Sequence, residues 1–562
     1  MYRFLGYLDF RDSTKRSESL LAIFICVVIF ASVVTLQWAS GAFQSEFGSY
    51  PDEAAHYITG LMVRDYVAKF SPVSPMKFAE DYYLHYPKVG LGHWPPLFYL
   101  VQAAWMLLFS SSRASVLLLM ALLTTLLAFT CYSVTRKEFG FKAGVVIGLL
   151  LVVLPLVQTL SGMVMAEILT ALLSFWAVLS FGRFLETGKS RDGIYFGIWA
   201  VSAILTKGNG LALALVPPLG LVFSRRFYLL KRPSFWYPLG LVLLFCGPWY
   251  FLTLDIVRNG WQESTPTLQF TGLAIRYYSW SMVKTTGIGL SFLAAIGFVV
   301  RVIRPSLEAR TGGRWAAFGA HLLSVWIFQE VVPVGLEARH FIPAVPVFLM
   351  FAVAGIFWLG GRIRLGRLSI GRRITVLALL FALVFGWETF AIPKKAFYGF
   401  GEVAQKLLST PNFQKSAMLI SSDACGEGMF IEEVAMREAR PGHYVLRASK
   451  VLSTSRWNGS EYDAFYKTPQ EMMSYLETIP IGIVVMDLST PPELQVAHHR
   501  ILEMTLATYP HRWELLGTFP LTRNGIKHSG ALQVYSLVGH ENKPLGTFKI
   551  DMRHTLKKSL QK

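Results

Sequence analysis

The sequence predicts a polytopic α-helical membrane protein of about 11 spans with a C-terminal α/β domain outside the bilayer. Three observations predict it. The 562-residue chain is 53% hydrophobic and 16% charged, with mean hydropathy +0.43, whereas soluble domains carry about 25% charged residues. Long apolar segments recur from Leu20 to Ile392, each suited to a bilayer core. After Pro393 the pattern changes to short alternating strand-like and helix-like runs.

The net charge of +18 raises the question of nucleic acid. The basic residues do not form one patch, however; they cluster between apolar segments, as topology signals do, so no nucleic-acid partner is expected. Of the four cysteines, Cys26, Cys131 and Cys246 lie in apolar spans and Cys425 far downstream. No disulfide framework or zinc spacing emerges.

The first apolar run, Leu20–Trp38, has no small-residue cleavage site and is followed by further spans, so it reads as a span rather than a cleaved signal. Arg11, Lys15 and Arg16 precede it and place the N-terminus in the cytoplasm. The later clusters are Arg136/Lys137/Lys142, Arg183/Lys189/Arg191, Arg225/Arg226/Lys231/Arg232, Arg301/Arg304/Arg310/Arg314 and Arg362/Arg364/Arg367/Arg372/Arg373. All are expected to face the cytoplasm. That demand settles PPLFYLVQAAWMLLF (95–109). If this run crossed, Arg136 and Lys137 would fall outside. It is also short, about 15 residues against the ~20 a span needs. It reads as an interfacial helix within a long first external loop, 41–113.

The spans then lie near 20–40, 114–135, 143–160, 168–185, 193–206, 208–224, 236–254, 285–303, 315–332, 341–360 and 374–392. Residues 1–393 form the membrane domain. The external face collects Asp52, Glu53, His56, His93, Glu167, Lys207, Trp249, the 255–283 loop, and Glu337, Arg339 and His340. Beyond it, AMLISSD, IGIVVMD and ALQVYSLV read as strands, and GMFIEEVAMREA and PPELQVAHHRILEMTLATY as helices. This alternation suggests an external α/β domain over 394–542. Residues 543–562 read as a basic, polar, poorly ordered tail.

Several external residues have both a structural and a chemical reading. In SYPDEAAHYITG, Asp52 and Glu53 follow Pro51 at a helix start. First-turn acids suit the helix dipole, but one would suffice. A second carboxylate can take a proton from an acceptor hydroxyl. In GHWPPLFY, Pro95–Pro96 restart the chain at the membrane surface, and His93 is either an interfacial histidine or a metal or phosphate ligand. Glu167, in SGMVMAEILTALL, is either a solvated helix-start acid or a functional carboxylate at membrane depth. Lys207, in ILTKGNGLAL, either snorkels or meets an anion. Arg339 and His340 open a span in GLEARHFIPAVPVFLMF. An arginine on the external side is either a flanking charge or a phosphate ligand.

Together these residues resemble the GT-C superfamily of membrane glycosyltransferases. Within it they look like the branch holding the dolichyl-phosphate-mannose protein mannosyltransferases and the aminoarabinose transferases that modify lipid A. The matching elements come in family order: PDEAAHY, WPPLFY, MAEI, LTKGNG, GPWYF and ARHFIPAVP, over about residues 20–360. The resemblance implies a sugar transferred from a polyprenyl-phosphate carrier, with inversion, to a lipid, glycan or protein acceptor. It implies Asp52 as general base and Glu167 as a second carboxylate orienting acceptor or a divalent metal. Arg339 and Lys207 would neutralise the departing phosphate. Glu53, His56, Trp249 and His340 would complete the substrate site. Two positions depart from the pattern. His93 stands where aminoarabinose transferases have a metal-binding carboxylate, and His340 follows Arg339 where Tyr is common.

The expectation is therefore an inverting glycosyltransferase in a bacterial-type inner membrane, its site on the external face. A transporter or flippase of a lipid-linked substrate is the rival class; a non-catalytic scaffold of the same fold is another. The spans show no internal repeat and the acids gather on one face, which favours the transferase.

Overall fold

The computed structural model describes residues 13–261, 266–304, 312–363, 369–389, 391–413, 416–456, 460–479, 481–524, 530–539 and 546–562. Of the basic residues used for topology, Arg11, Arg310, Arg364 and Arg367 lie outside them.

Every expected span falls on helical residues, and the expected 255–283 loop is itself largely helical, over Leu268–Thr286. The elements are α1 (Ser13–Ala39), α5 (Arg113–Phe139), α6 (Phe141–Val153) with α7 (Pro155–Ser161), α8 (Glu167–Thr187) and α9 (Ser190–Thr206). They continue with α10 (Val216–Ser224), α11 (Pro233–Phe245), α12 (Gly247–Trp261), α13 (Leu268–Thr286), α14 (Ile288–Phe298), α15 (Gly313–Val331), α16 (Val345–Arg362) and α17 (Ile370–Thr389). Four helices are each long and apolar enough to cross a membrane, and three bent pairs pass together. The protein is integral to a membrane.

The breaks have local causes. Pro155 opens α7 after a 64° bend, and Gly247–Pro248 opens α12 after one of 54°. Between α13 and α14 the chain turns by 110° at Gly287, whose φ of +81° a side chain would resist. Helices α14 and α16 touch backbone to backbone. A Cβ on Gly355 would lie 2.1 Å from the Leu293 carbonyl oxygen, so this contact requires glycine.

The first loop holds three short helices: α2 (Pro51–Ala68), α3 (Pro75–His85) and α4 (Leu97–Leu108). At 12 residues, α4 is about 18 Å long, too short for a ~30 Å hydrocarbon core. It packs on α2 instead, where Gly60 leaves room for Gln102.

Beyond α17 the chain builds a six-stranded sheet. Its strands are β1 (Phe397–Tyr398), β2 (Ala417–Ser421), β3 (Val445–Arg447), β6 (Ile481–Asp487), β7 (Trp513–Arg523) and β8 (Gly530–Leu537), in the order β1-β7-β8-β6-β2-β3. Strands β3, β2 and β6 are parallel; β8, β7 and β1 continue antiparallel. β2 and β6 are buried along their whole length, as strands covered on both faces must be. A small pair, β4 (Ser453–Thr454) and β5 (Asp463–Ala464), lies between β3 and β6 in the chain. Helices α18 (Phe400–Ser409), α19 (Ala424–Arg437), α20 (Ala448–Val451), α21 (Pro469–Thr478) and α22 (Ala497–Thr508) accompany the sheet.

The C-terminal segment corrects one expectation. Instead of a poorly ordered tail, β9 (Lys549–Met552) and β10 (Lys558–Gln561) form an antiparallel hairpin around the short α23 (Arg553–Leu556). Phe548, Ile550, Met552 and Leu560 are buried and anchor it. Its lysines reach the membrane domain: Lys558 pairs with Glu80 of α3 at 2.7 Å.

The sheet domain is fastened to the first loop by ion pairs. α19 packs on α2, Arg440 pairs with Asp65 at 2.8 Å, and Lys395 pairs with Glu53 at 2.6 Å. Breaking a buried pair from one side costs about 3–5 kcal/mol. Lys395→Met is therefore expected to lower the thermal unfolding midpoint clearly, and adding Glu53→Gln to restore much of it. Circular dichroism of the detergent-solubilised protein checks both.

Candidate active site

Asp52 and Glu53 are neighbours on α2, yet they face different surroundings. Pro51 sets the first helical turn, and consecutive helical residues point about 100° apart. Glu53 is fully buried. It receives the Ser49 N–H at 3.0 Å, the Val164 N–H at 3.4 Å and the Lys395 ammonium at 2.6 Å. These contacts make Glu53 an anchor for the loop and the sheet domain, turned to the chain itself rather than to the charged cluster. Asp52 keeps about a third of its side chain exposed (32%) and faces the charged cluster.

Arg339 is the centre of that cluster. Its Nη2 lies 3.1 Å from Asp52 Oδ2 and its Nη1 3.3 Å from Glu167 Oε1. Its Nε donates to Glu337, and the guanidinium carbon sits 4.8 Å from the centre of the Tyr50 ring. Lys207 Nζ donates to the same Glu167 oxygen at 2.6 Å. Four separate elements supply these groups. Asp52 comes from α2, Glu167 from the first turn of α8, Lys207 from the junction of α9 with the 3-10 turn Gly208–Leu215, and Arg339 from the 3-10 turn Ala338–Ala344. Interrupted helices place irregular backbone and charge together, which the membrane tolerates only inside protein or a cavity. Glu167 Oε2 and Arg339 Nη1 are buried without a hydrogen-bond partner among the described residues. Each remains available to a ligand.

Burial pushes the Asp52 carboxyl up, but Arg339, with His56 and Lys207, outweighs it and holds the group below its ordinary value. Asp52 is thus an ion-paired carboxylate. His56 lies one helical turn further, buried, with Nδ1 2.7 Å from Tyr99 Oη and its ring 4.5 Å from that of Trp94. Burial pulls its pKa down to about 4, so the imidazole is neutral.

The remaining expected residues stand around this centre. His340 Nδ1 is 3.2 Å from Tyr278 Oη, which places it in the wall behind Arg339. Trp249 is half-buried on α12; among the described residues no hydrogen bond or ring contact joins its side chain to the cluster. His93 packs edge-on against Trp94, ring centres 5.2 Å apart. No three His, Cys, Asp or Glu side chains among the described residues form a metal-holding group. No step is assigned to a metal at His93.

Sequence reasoning missed Tyr50, which covers the guanidinium, and placed Glu337 on the external face without its pairing to Arg339 two residues on. It also missed Lys88, in the loop after α3. The Lys88 ammonium donates to the Ala424 carbonyl at 3.0 Å. Burial, with Arg447 nearby, pulls its pKa down to about 8. In sequence YPKVG reads as an ordinary surface turn; only the docked α19 sets its lysine against the Ala424 carbonyl.

Solved structures of the same shape exist. ArnT from Cupriavidus metallidurans in the apo state superposes with a TM-score of 0.57 at 14% identity, covering 92% of this chain and 99% of that one. The fold is that of the GT-C membrane glycosyltransferases. The same ArnT bound to undecaprenyl phosphate gives a TM-score of 0.56 at 13% identity, with 92% and 99% covered. The archaeal oligosaccharyltransferase AglB from Archaeoglobus fulgidus, in complex with an inhibitory peptide and a dolichol-phosphate, gives 0.53 at 16% identity, with 90% and 75% covered. Residues 93–251 match the family model described as dolichyl-phosphate-mannose-protein mannosyltransferase. That stretch of the GT-C fold runs from His93 through Glu167 and Lys207 to the PWY element. No curated protein matches the chain by sequence.

Proposed function

We propose that this GT-C protein transfers a sugar from a polyprenyl-phosphate-linked donor to an acceptor hydroxyl, with inversion, on the external face of a bacterial-type inner membrane. One observation carries the reading: Arg339 draws Asp52 and Glu167 into a single cluster at interrupted helix ends. The lipid phosphates held by ArnT and AglB support a donor of that class.

The donor phosphate competes with the carboxylates for Arg339 and Lys207. As Arg339 turns to the phosphate, Asp52 loses its strongest stabilising charge and becomes a better base. It then accepts the acceptor hydroxyl proton while the acceptor oxygen attacks the anomeric carbon. The bond from that carbon to the phosphate oxygen breaks, and the electron pair leaves with the polyprenyl phosphate. Arg339 and Lys207 stabilise the charge that builds there. Glu167 positions the acceptor and holds Lys207.

This exchange has a pH signature. A base must be ionised, so activity falls as pH drops through the Asp52 pKa. In the free enzyme Arg339, His56 and Lys207 depress that value, so the acid limb of kcat/KM lies below the usual ~3.9 of aspartate. In the donor complex the depression is relieved, so the acid limb of kcat lies at higher pH. Coincident limbs would contradict the exchange.

Sidedness is tested by an exposed cysteine. Ser409, at the end of α18, is solvent-facing. In intact cells with the outer membrane permeabilised, Ser409→Cys is expected to react with a membrane-impermeant maleimide. Protection until the inner membrane is lysed would place the sheet domain in the cytoplasm and overturn the external site.

A further inference from the structure

A cavity lies in the sheet domain, lined by none of the residues of the charged cluster. It measures about 370 Å³ and is walled by α20 and α21 on one side and by the β9–β10 hairpin on the other. Tyr466 and Tyr475 form a stacked pair with centres 4.6 Å apart. Phe465 stands 38% exposed beside them, and Phe548 is buried at the base of the hairpin. Lys450 lines the same space and is half-buried, and among the described residues its ammonium has neither a hydrogen-bond partner nor an ion pair. Arg553 and Lys549 outnumber Asp551 at the hairpin side.

We infer that this cavity binds an anionic saccharide unit, a pyranose carrying a carboxylate. The volume falls in the range of small-ligand sites and suits one or two sugar rings. Aromatic faces take the C–H side of a pyranose, and hydroxyl and amide groups such as Thr547 and Gln561 meet its rim. Glu427 and Asp551 act on Lys450 only from a distance, each being paired with its own arginine, Arg447 and Arg553, so a neutral or wholly apolar occupant would leave the ammonium without a direct partner. A carboxylate supplies one. A nucleotide fits less well. The two tyrosines stack on each other rather than leaving a slot for a base.

The hairpin joins this cavity to the membrane domain through the Lys558–Glu80 pair and through contacts of α23 with α12. A glycan held here therefore reaches toward the first loop. The binding itself does not depend on the transferase reading, because it is measured without donor or turnover.

Saturation-transfer NMR and calorimetry on the full chain in detergent test it, with four probes: a glucuronate-containing tetrasaccharide, its neutral glucose analogue, inorganic phosphate and adenosine monophosphate. The uronate saccharide is expected to bind at least about tenfold more tightly than the neutral one. Lys450→Met and Phe465→Ala should each weaken it about tenfold, equivalent to ~1.4 kcal/mol, while Lys450→Arg retains it. An unchanged thermal midpoint shows that the variants fold. Equal binding of charged and neutral saccharides would overturn the inference, as would uronate binding indifferent to Lys450→Met. Capture of phosphate or adenosine monophosphate in preference to the saccharide would also overturn it.

Discussion

Asp52→Asn is expected to lower kcat by roughly 10²–10⁴-fold, the range of a positioned general base, with the donor KM lowered, because the carboxylate that competes with the phosphate for Arg339 is gone. The substitution keeps the size of the side chain and its place in the first turn of α2. A first-turn charge is worth only about 0.3–1 kcal/mol to a helix, so the fold survives and the loss reports chemistry. Asparagine cannot take the acceptor proton, and it removes one of the anions that Arg339 joins. Glu53→Gln should behave differently. It leaves Lys395 buried without its partner and so lowers stability by about 3–5 kcal/mol, while the protein that remains folded keeps its kcat. Initial rates at saturating donor, set beside unfolding midpoints, separate the two carboxylates. Transfer by Asp52→Asn at the wild-type rate would remove Asp52 as the base.

Arg339→Lys is expected to cost about 10²–10³-fold in transfer, comparable to losing one oxyanion donor. A lysine keeps the charge but not the fork. The guanidinium reaches Asp52, Glu167 and Glu337 in three directions at once and lies over the Tyr50 ring. A single ammonium on a flexible stem cannot reproduce that. Polyprenyl phosphate binding gives a second readout that needs no turnover. A ligand that binds only the folded state raises its stability by about 2.7 kcal/mol at a hundred times Kd. Polyprenyl phosphate should therefore raise the melting point of the wild type and raise that of Arg339→Lys much less. Equal shifts would move the phosphate site away from Arg339.

The membrane part of the fold was legible because its signals are local. Apolar runs mark helices whatever lies elsewhere in the chain, and the short run 95–109 holds a helix of only 12 residues. The elbows were harder to read. The 110° turn at Gly287 divides an apolar stretch at a residue that, in one dimension, resembles any other glycine. The hairpin at the C-terminus escaped because its apolar residues are single and spaced among lysines. Phe548, Ile550 and Leu560 become buried only when packed on the sheet domain.

The candidate site was legible as residue types and less so as partnerships. Asp52, Glu167, Lys207 and Arg339 stood out as charges at membrane exits, and the structure brings them together. The partner of Glu53 lies 342 positions away in Lys395, which reads in sequence as a common membrane-flanking lysine. No spacing rule could have joined them. His93 is a residue type suited to metal, in a promising motif; it packs edge-on against Trp94, with the Asp52 charge also acting on it.

The most direct test of the central claim follows a doubly labelled polyprenyl-phosphate sugar in proteoliposomes containing the wild-type protein and a membrane acceptor extract. The account predicts that free polyprenyl phosphate and glycosylated acceptor rise together, one for one. It also predicts an inverted anomeric centre in the product and loss of both signals in Asp52→Asn. Intact donor crossing the bilayer with no glycosylated product, equally in wild type and Asp52→Asn, would contradict it and make the protein a carrier of the lipid-linked sugar.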